Sequence, residues 1–121
     1  MKLQPDNTSV TTLTGYGDGW VALNGERITT SLLISSMGHR KEWRCATFEE
    51  LSEAQFMPIV EWDAELVLFG SGARLRFPNP QWLAALYARR IGVETMDTQA
   101  ACRTYNFLAG EGRRVVAALL M

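Results

Sequence analysis

Polar residues that follow β-rich runs are the best candidates for chemistry in this sequence. Gly70-Ser71-Gly72 follows an apolar run, as a phosphate-binding loop does, but the third glycine is absent and the next segment has a strand pattern. Asp97-Thr98 follows a second β-rich run and precedes a helical pattern. Neighbouring parallel strands would open both turns on one sheet edge, where α/β proteins bind ligands. The candidate ligand-binding residues are Gly70, Ser71, Gly72, Asp97, Thr98 and Arg103.

A structural interpretation competes with this ligand site. Glycines with a serine between them are typical of a tight turn, and Asp97 with Thr98 can cap a helix without any ligand. The crevice between Gly70–Ala73 and Met96–Arg103 would favour a small anion through helix N–H groups, while the Asp97 carboxylate opposes one. The residues favour the turn and the cap, and the ligand site stays open as the alternative.

The other reactive side chains lack partners in the sequence. Cys102 falls near the first turn of a predicted helix, where the dipole can lower a thiol pKa, but its alanine neighbours favour tight packing. His39 lies in a predicted loop, and no feature marks it as a base for that thiol. One histidine and two distant cysteines, Cys45 and Cys102, do not make a zinc pattern, so we expect no metal or cofactor.

Glu94 is the most informative acidic residue. It lies within a strand that we expect to be internal, so its carboxylate needs a partner. Arg103, Arg113 and Arg114 are the nearest candidates, and we predict a structural ion pair between Glu94 and Arg113. General acid or base catalysis would need a second positioned group, which the sequence does not identify. The sequence therefore favours a non-enzymatic role over catalysis.

The elements that must position these residues are clearest at the carboxyl end. Val93–Met96 is predicted as a strand, Gln99–Ala109 as a helix and Val115–Met121 as a second strand, with Gly110 and Gly112 ending the helix. The uninterrupted apolar run from Val115 suits a strand that is covered on both faces. We therefore expect the last strand to be the middle of the core.

The upstream elements follow from turn and cap signals. Asn24-Gly25 predicts a hairpin between strands Trp20–Leu23 and Ile28–Ser35, because both turn residues accept positive φ. A capping-box pattern from Thr47 to Glu50 predicts a helix, and Asn79-Pro80 predicts another. The further predictions are a strand over Val10–Thr14 before a glycine cluster, a helix over Phe48–Gln55 ended by Pro58, strands over Glu65–Phe69 and Arg74–Phe77, and a helix over Pro80–Arg90 ended by Gly92.

Together these elements predict one compact α/β domain spanning 1–121. An N-terminal antiparallel β-hairpin or meander joins a C-terminal β-α-β-α-β unit, giving a mixed sheet with helices packed on it. The 12 basic and 13 acidic residues give a formal charge of −1, so we expect no nucleic-acid partner. The start MKLQPDNTSV lacks the apolar core of a signal peptide, and no apolar run approaches about 20 residues. We expect a cytoplasmic protein without membrane insertion.

The segments FGSGARLRFP and VETMDTQAACRTYNFLAGEGRRVVAALL resemble the small-domain family that includes mitochondrial complex I assembly factor 3 and many uncharacterised bacterial proteins. The resemblance covers most of the chain and is strongest from Phe69 to Leu120. It rests on the Gly70-Ser71-Gly72 turn, the strand end Glu94 to Thr98, the helical segment Arg103 to Asn106, and Glu111-Gly112-Arg113. The resemblance implies a compact α/β fold and an assembly-factor role without enzymatic activity.

Two functions of different classes remain after these observations. The first is a non-enzymatic interaction or assembly module whose partner is another protein, with homo-oligomerisation left open. The second is a small-molecule binder, or an enzyme, that uses the crevice near Gly70–Ala73 and Met96–Arg103.

Overall fold

The fold is built from two β-sheets with helices packed on them. The structure is a computed structural model that describes residues 11–121, so the polar start Met1 to Ser9 and the predicted strand position Val10 lie outside the described residues. The strands are β1 (Leu13–Gly17), β2 (Trp20–Leu23), β3 (Glu26–Ile28), β4 (Leu32–Ser35), β5 (Arg40–Glu42), β6 (Leu66–Gly70), β7 (Gly92–Met96) and β8 (Val115–Leu119). The α-helices are α1 (Glu53–Phe56), α2 (Ala84–Ala88) and α3 (Thr98–Gly110), and 3-10 helices span Phe48–Glu50, Met57–Trp62 and Pro80–Leu83.

The larger sheet has the strand order β5-β4-β8-β6-β7, with β8 in the middle. β8 runs antiparallel to β4 and parallel to β6, and β6 runs parallel to β7. Every residue of β8 is buried, since both faces of this strand are covered. The predicted mixed α/β architecture and the central position of the last strand are therefore confirmed.

Alternate residues of the sheet supply two separate cores. On one face, Val67, Phe69 and Val116 pack with the short helices that include α1 and α2. On the other face, Leu68 and Ala117 pack with α3 and the smaller sheet, whose strand order is β1-β2-β3. Successive side chains of a strand point to opposite faces of the sheet, so the apolar residues of each central strand contribute to both cores.

The N-terminal hairpin forms at the predicted turn, but its second strand is shorter than predicted. Asn24 and Gly25 have φ values of 54° and 82°, which fit the two left-handed positions of the turn between β2 and β3. Ile28–Ser35 is not one strand, because the chain leaves the smaller sheet after Ile28 and enters the larger sheet at Leu32. The buried Ser31 lies at this passage, where its carbonyl accepts the Trp43 N–H at 3.0 Å.

The first strand is also shifted from its predicted position. β1 runs through the glycine cluster instead of ending before it, since Gly15 lies opposite Ala22 and Gly17 opposite Trp20. The reversal comes later, at Asp18-Gly19, where Gly19 has a φ of 78°.

The helix predicted over Phe48–Gln55 is divided into two pieces. Thr47 makes no capping hydrogen bond to the 3-10 helix that follows it. The capping box belongs instead to Ser52 and Gln55 at the start of α1, where Gln55 Oε1 accepts the Ser52 N–H at 2.7 Å. Pro58 does not end a helix, because it lies within the 3-10 helix Met57–Trp62.

The segment between β6 and β7 also differs from its prediction. Arg74–Phe77 is irregular and pairs with no described strand; the Arg76 N–H donates to Ser71 Oγ at 3.0 Å. The helix predicted from Pro80 to Arg90 is a 3-10 turn followed by α2, which ends at Ala88. Arg90, with a φ of 61°, makes the reversal that had been assigned to Gly92, and Gly92 begins β7.

Candidate functional site

The two turns singled out in the sequence meet at one edge of the larger sheet. β6 and β7 are parallel neighbours, so the segments after them emerge side by side. The Ser71 N–H donates to the Met96 carbonyl at 2.9 Å, and the Thr98 N–H donates to the Gly72 carbonyl at 2.9 Å. The Gly72 N–H donates to Thr98 Oγ1 at 2.8 Å. Gly70, Ser71, Gly72, Asp97 and Thr98 are therefore brought together.

The polar side chains of this junction are hydrogen-bonded to backbone groups of the protein. Thr98 Oγ1 donates to the Leu120 carbonyl at 2.6 Å, and Ser71 Oγ donates to the Arg74 carbonyl at 2.8 Å. Asp97 Oδ1 accepts the Ala100 N–H at 2.9 Å, which makes Asp97 the N-cap of α3. The geometry of the junction is that of a helix cap joined to a tight turn.

Close packing and backbone conformation explain the two glycines. A Cβ at Gly70 would lie 3.0 Å from Thr98 Cα and 3.0 Å from Leu119 Cδ2, so α3 can begin close to β6 only if residue 70 has no side chain. Gly72 has a φ of 100°, where L-residues are strained. Both glycines thus have structural reasons that involve no phosphate.

Arg103 is not part of this junction. It lies on the exposed side of α3, and within residues 11–121 no hydrogen bond or ion pair ties it to the Gly70–Gly72 turn. Within residues 11–121, the hydrogen bonds of the junction join the other candidate residues and do not include Arg103.

The predicted ion pair between Glu94 and Arg113 is wrong. Arg113 Nε lies 3.2 Å from Glu65 Oε1, and none of the ion pairs within residues 11–121 includes Glu94. The backbone N–H of Arg114 and the Arg113 guanidinium lower the pKa of Glu65. The sequence predicts Glu94 in an internal strand, but β7 is the last strand in the sheet order and Glu94 is exposed.

The two cysteines are buried in the cores, and the histidine packs against a tryptophan. Cys102 is 0% exposed, and burial raises its pKa to about 12. Cys45 is also buried, and burial raises its pKa to about 12. The His39 ring stacks on Trp62 at 4.5 Å, and its Nδ1 lies 2.7 Å from Ser35 Oγ. In the described part of the chain, no three His, Cys, Asp or Glu side chains are grouped as metal ligands.

An open hollow of about 330 Å³ lies beside Ser71, and Arg103 is not among its lining residues. Its walls come from residues 46–49 and 71–74, together with Arg76, Leu120 and Met121. Arg76 donates to Glu49 Oε2 at 2.9 Å and lies 4.3 Å from the centre of the Phe48 ring. That hydrogen bond lowers the pKa of Glu49. The Arg76 charge is thus already paired, whereas Arg74 on the same wall is exposed.

A second hollow, of about 460 Å³, lies along β7 and was not predicted from the sequence. Phe77 and Tyr87 on its rim are 71% and 49% exposed. The sequence predicts Phe77 at the end of a strand and Tyr87 within a helix, and neither prediction indicates an exposed aromatic surface. The available signal was the pair Pro78 and Pro80, because prolines this close together disfavour a paired strand.

The sequence and the fold both have known relatives. Residues 13–120 match the family described as a protein of unknown function (DUF498/DUF598), and the chain belongs to this family. A relative from Bos taurus, named NADH dehydrogenase [ubiquinone] 1 alpha subcomplex assembly factor 3, is 32% identical over 122 residues. The match covers 98% of this chain, and the chain spans 65% of that relative's length. The resemblance found in the sequence is thus confirmed.

Two solved structures are similar over nearly the whole chain. A crystal structure of a Bordetella parapertussis protein has a TM-score of 0.87 at 36% identity and covers 93% of this chain and 96% of its own. A solution structure of a Bordetella pertussis protein, described as a Mth938-like domain, has a TM-score of 0.84 at 32% identity, with coverages of 99% and 92%. Separately, none of the helices described in residues 11–121 has the length and apolarity needed to cross a bilayer.

Proposed function

We propose that this chain is a protein-binding module with a non-enzymatic, assembly-type role. The observation that carries the proposal is its similarity to the bovine assembly factor along 98% of the chain. That relative's name describes assembly of NADH dehydrogenase, so subunits of such a complex are the first candidate partners. The cytoplasm, or the cytoplasmic face of a membrane complex, is the proposed location.

The chemistry of the described residues supports binding over catalysis. The Ser71 and Thr98 hydroxyls are engaged in the junction between turn and helix. Both cysteines are buried, and burial raises their pKa values to about 12, which disfavours the nucleophilic thiolate. Exposed aromatic surface, by contrast, is available at Phe77 and Tyr87. Aromatic side chains of this kind are enriched in the buried centres of protein interfaces.

The test is made in the organism that carries the gene. Deletion should reduce the assembled NADH dehydrogenase seen on native gels and cause subcomplexes to accumulate, and the wild-type gene should restore assembly. Chemical cross-linking of the tagged full chain should join it to a subunit of that complex. Normal assembly after deletion, together with no cross-linked protein, would contradict the proposal.

Small-anion binding is the second candidate function. Arg74 is exposed on the hollow beside Ser71, whose lining includes none of residues 96–103, and we propose this hollow as the anion site. Inorganic phosphate, titrated while backbone amide shifts are recorded, should perturb residues 71–76. Arg74→Ala should remove these shifts, while the control Arg103→Ala keeps them. Amides that stay unchanged in the wild type would remove this candidate.

A further inference from the structure

The outer edge of β7 is free within residues 11–121. β7 ends the sheet order, and its only described neighbour is β6. The Gly92 N–H donates to the Glu65 carbonyl at 3.3 Å, and the Met96 carbonyl accepts the Ser71 N–H at 2.9 Å. Since backbone groups of alternate strand residues point to opposite sides, Gly92, Glu94 and Met96 face β6. Val93 and Thr95 therefore direct their N–H and C=O groups outward, at the spacing of a strand.

An apolar hollow accompanies this free backbone row. Most of its lining is apolar, its volume is about 460 Å³, and Glu94 and Thr95 are its polar members; the apolar ones are Phe77, Pro78, Pro80, Leu83, Tyr87 and Val93. Such a hollow beside an unpaired strand is the arrangement used in strand addition, where backbone bonds give affinity and pockets select alternate side chains. An extended segment fits both features at once, whereas a helix could not satisfy the backbone row.

The charge of Glu94 selects between a second copy of the chain and a different partner. Glu94 is exposed and lies at the centre of β7. Two copies of β7 paired antiparallel about this residue would place two carboxylates directly opposite each other, which is destabilising. A segment with Lys or Arg at the facing position would instead gain a cross-strand ion pair. Charge complementarity thus favours a basic partner strand over self-pairing.

We propose that β7 binds an extended segment of a partner protein as an added strand. Alternate apolar side chains of that segment enter the hollow at Phe77 and Tyr87, and a basic side chain on its other face contacts Glu94. This inference rests on the proposed protein-binding function and specifies where, and by which chemistry, the partner is held.

A synthetic peptide, Ac-TVKFKVT-NH2, is the probe, because its apolar and basic residues alternate. Titrated into the full chain, it should shift the Val93 and Thr95 amides more strongly than the charge-reversed Ac-TVEFEVT-NH2 does. Two N-methylated versions of the basic peptide show which of its edges pairs with β7. One carries methyl groups on the backbone nitrogens of its apolar residues, and the other carries them on the backbone nitrogens of its basic residues. Only one of the two should lose binding, since only one edge of the peptide faces β7. Equal binding of both versions, or unshifted Val93 and Thr95 amides at millimolar peptide, would overturn the proposal.

Variants of the chain test the same site from the other side. Thr95→Pro removes an outward N–H without removing a hydrogen bond to β6, and Phe77→Ser removes an apolar side chain from the hollow. Each variant should therefore lower the affinity for the basic peptide by about tenfold. Phe107→Ser is the matched control, because Phe107 is an exposed phenylalanine on α3. Glu94→Lys should reverse the preference, so that the acidic peptide binds better. An unchanged preference in Glu94→Lys would contradict the assigned charge contact.

The native partner separates this inference from the function on which it rests. If a subunit cross-links equally well to wild type, Thr95→Pro and Phe77→Ser, the chain is a binding module but β7 is not its docking site. If the peptide binds β7 as expected but deletion leaves NADH dehydrogenase assembly normal, the docking site stands and the assembly role fails.

Discussion

The Thr98 hydroxyl connects three parts of the molecule. It accepts the Gly72 N–H at 2.8 Å and donates to the Leu120 carbonyl at 2.6 Å, while Thr98 itself begins α3. The Thr98 side chain is buried, so loss of its hydroxyl would remove the partner of both backbone groups at once. The residue that resembled a ligand contact is therefore a structural link between the ends of β6 and β8 and the start of α3.

Thr98→Val tests this link, because valine keeps the shape and removes the hydroxyl. The Gly72 N–H and the Leu120 carbonyl would be left unpaired, and we expect a loss of about 1 to 3 kcal/mol in the free energy of unfolding. Urea denaturation measures the loss. Thr104→Val is the control, since the Thr104 hydroxyl bonds to none of residues 11–121, and the two variants should differ by at least about 1 kcal/mol.

The two thiols give a second prediction at this scale. Burial raises the pKa of Cys45 and Cys102 to about 12, so the folded protein holds no thiolate at mildly alkaline pH. Ellman's reagent at about pH 8 should leave both thiols unmodified in the native state and modify both in urea. Because the unfolded thiols ionise near the ordinary pKa of 9.0, their contribution to stability is complete below that pH and is lost as the pH rises toward 12. Rapid native labelling would contradict both statements.

At the scale of elements, β8 has the strictest requirement for apolar residues. Ala118 is 0% exposed and lies opposite Leu33 of β4 and Phe69 of β6. Ala118→Asp places an unpaired charge in the apolar core that Ala118 shares with Leu33 and Phe69, and we expect it to cost more than about 4 kcal/mol or to prevent folding. Circular dichroism during urea unfolding gives the measurement. Phe107→Asp adds the same charge at an exposed position of α3, and this control should fold; similar stabilities for the two variants would remove β8 from the core.

The C-terminal elements were predictable because their signals are local. The cap at Asp97, the helical spacing after it and the apolar run from Val115 each lie within a single element. Arg74–Phe77 was mistaken for a strand because an alternating pattern does not reveal whether a neighbouring strand exists to pair with it. The break after Ile28 was missed for a related reason, since the passage between two sheets depends on where the second sheet lies.

The sequence predicts that the two turns lie close together, but it does not predict whether their hydroxyl groups are accessible to a ligand. Parallel topology brings the turn at Ser71 to Thr98, as the chain order implied. Whether the Thr98 hydroxyl faces a ligand or a carbonyl depends on its contact with Leu120, which lies 22 positions away in the sequence. The exposed position of Glu94 depends on strand order, which periodicity does not encode.

At the scale of the whole molecule, β7 is one of the two edge strands of the larger sheet within residues 11–121. Glu94 stands on β7, where a charge discourages edge-to-edge pairing. Glu94→Val should therefore increase self-association, seen as a concentration-dependent rise in sedimentation coefficient. Glu111→Val, at the exposed end of α3, is the control and should behave as wild type. An unchanged sedimentation coefficient in Glu94→Val would mean that this charge does not protect the edge.

The central place of β8 also sets an order of events during synthesis on the ribosome. β4 and β6 are made well before β8, yet in the finished sheet neither touches the other and each pairs with β8. Until residues 115–119 emerge, the nascent chain carries two unsatisfied strand edges and two half-built apolar cores. Such a chain is exposed to aggregation for that interval. Closure of the larger sheet is thus a late, single event that completes both cores together.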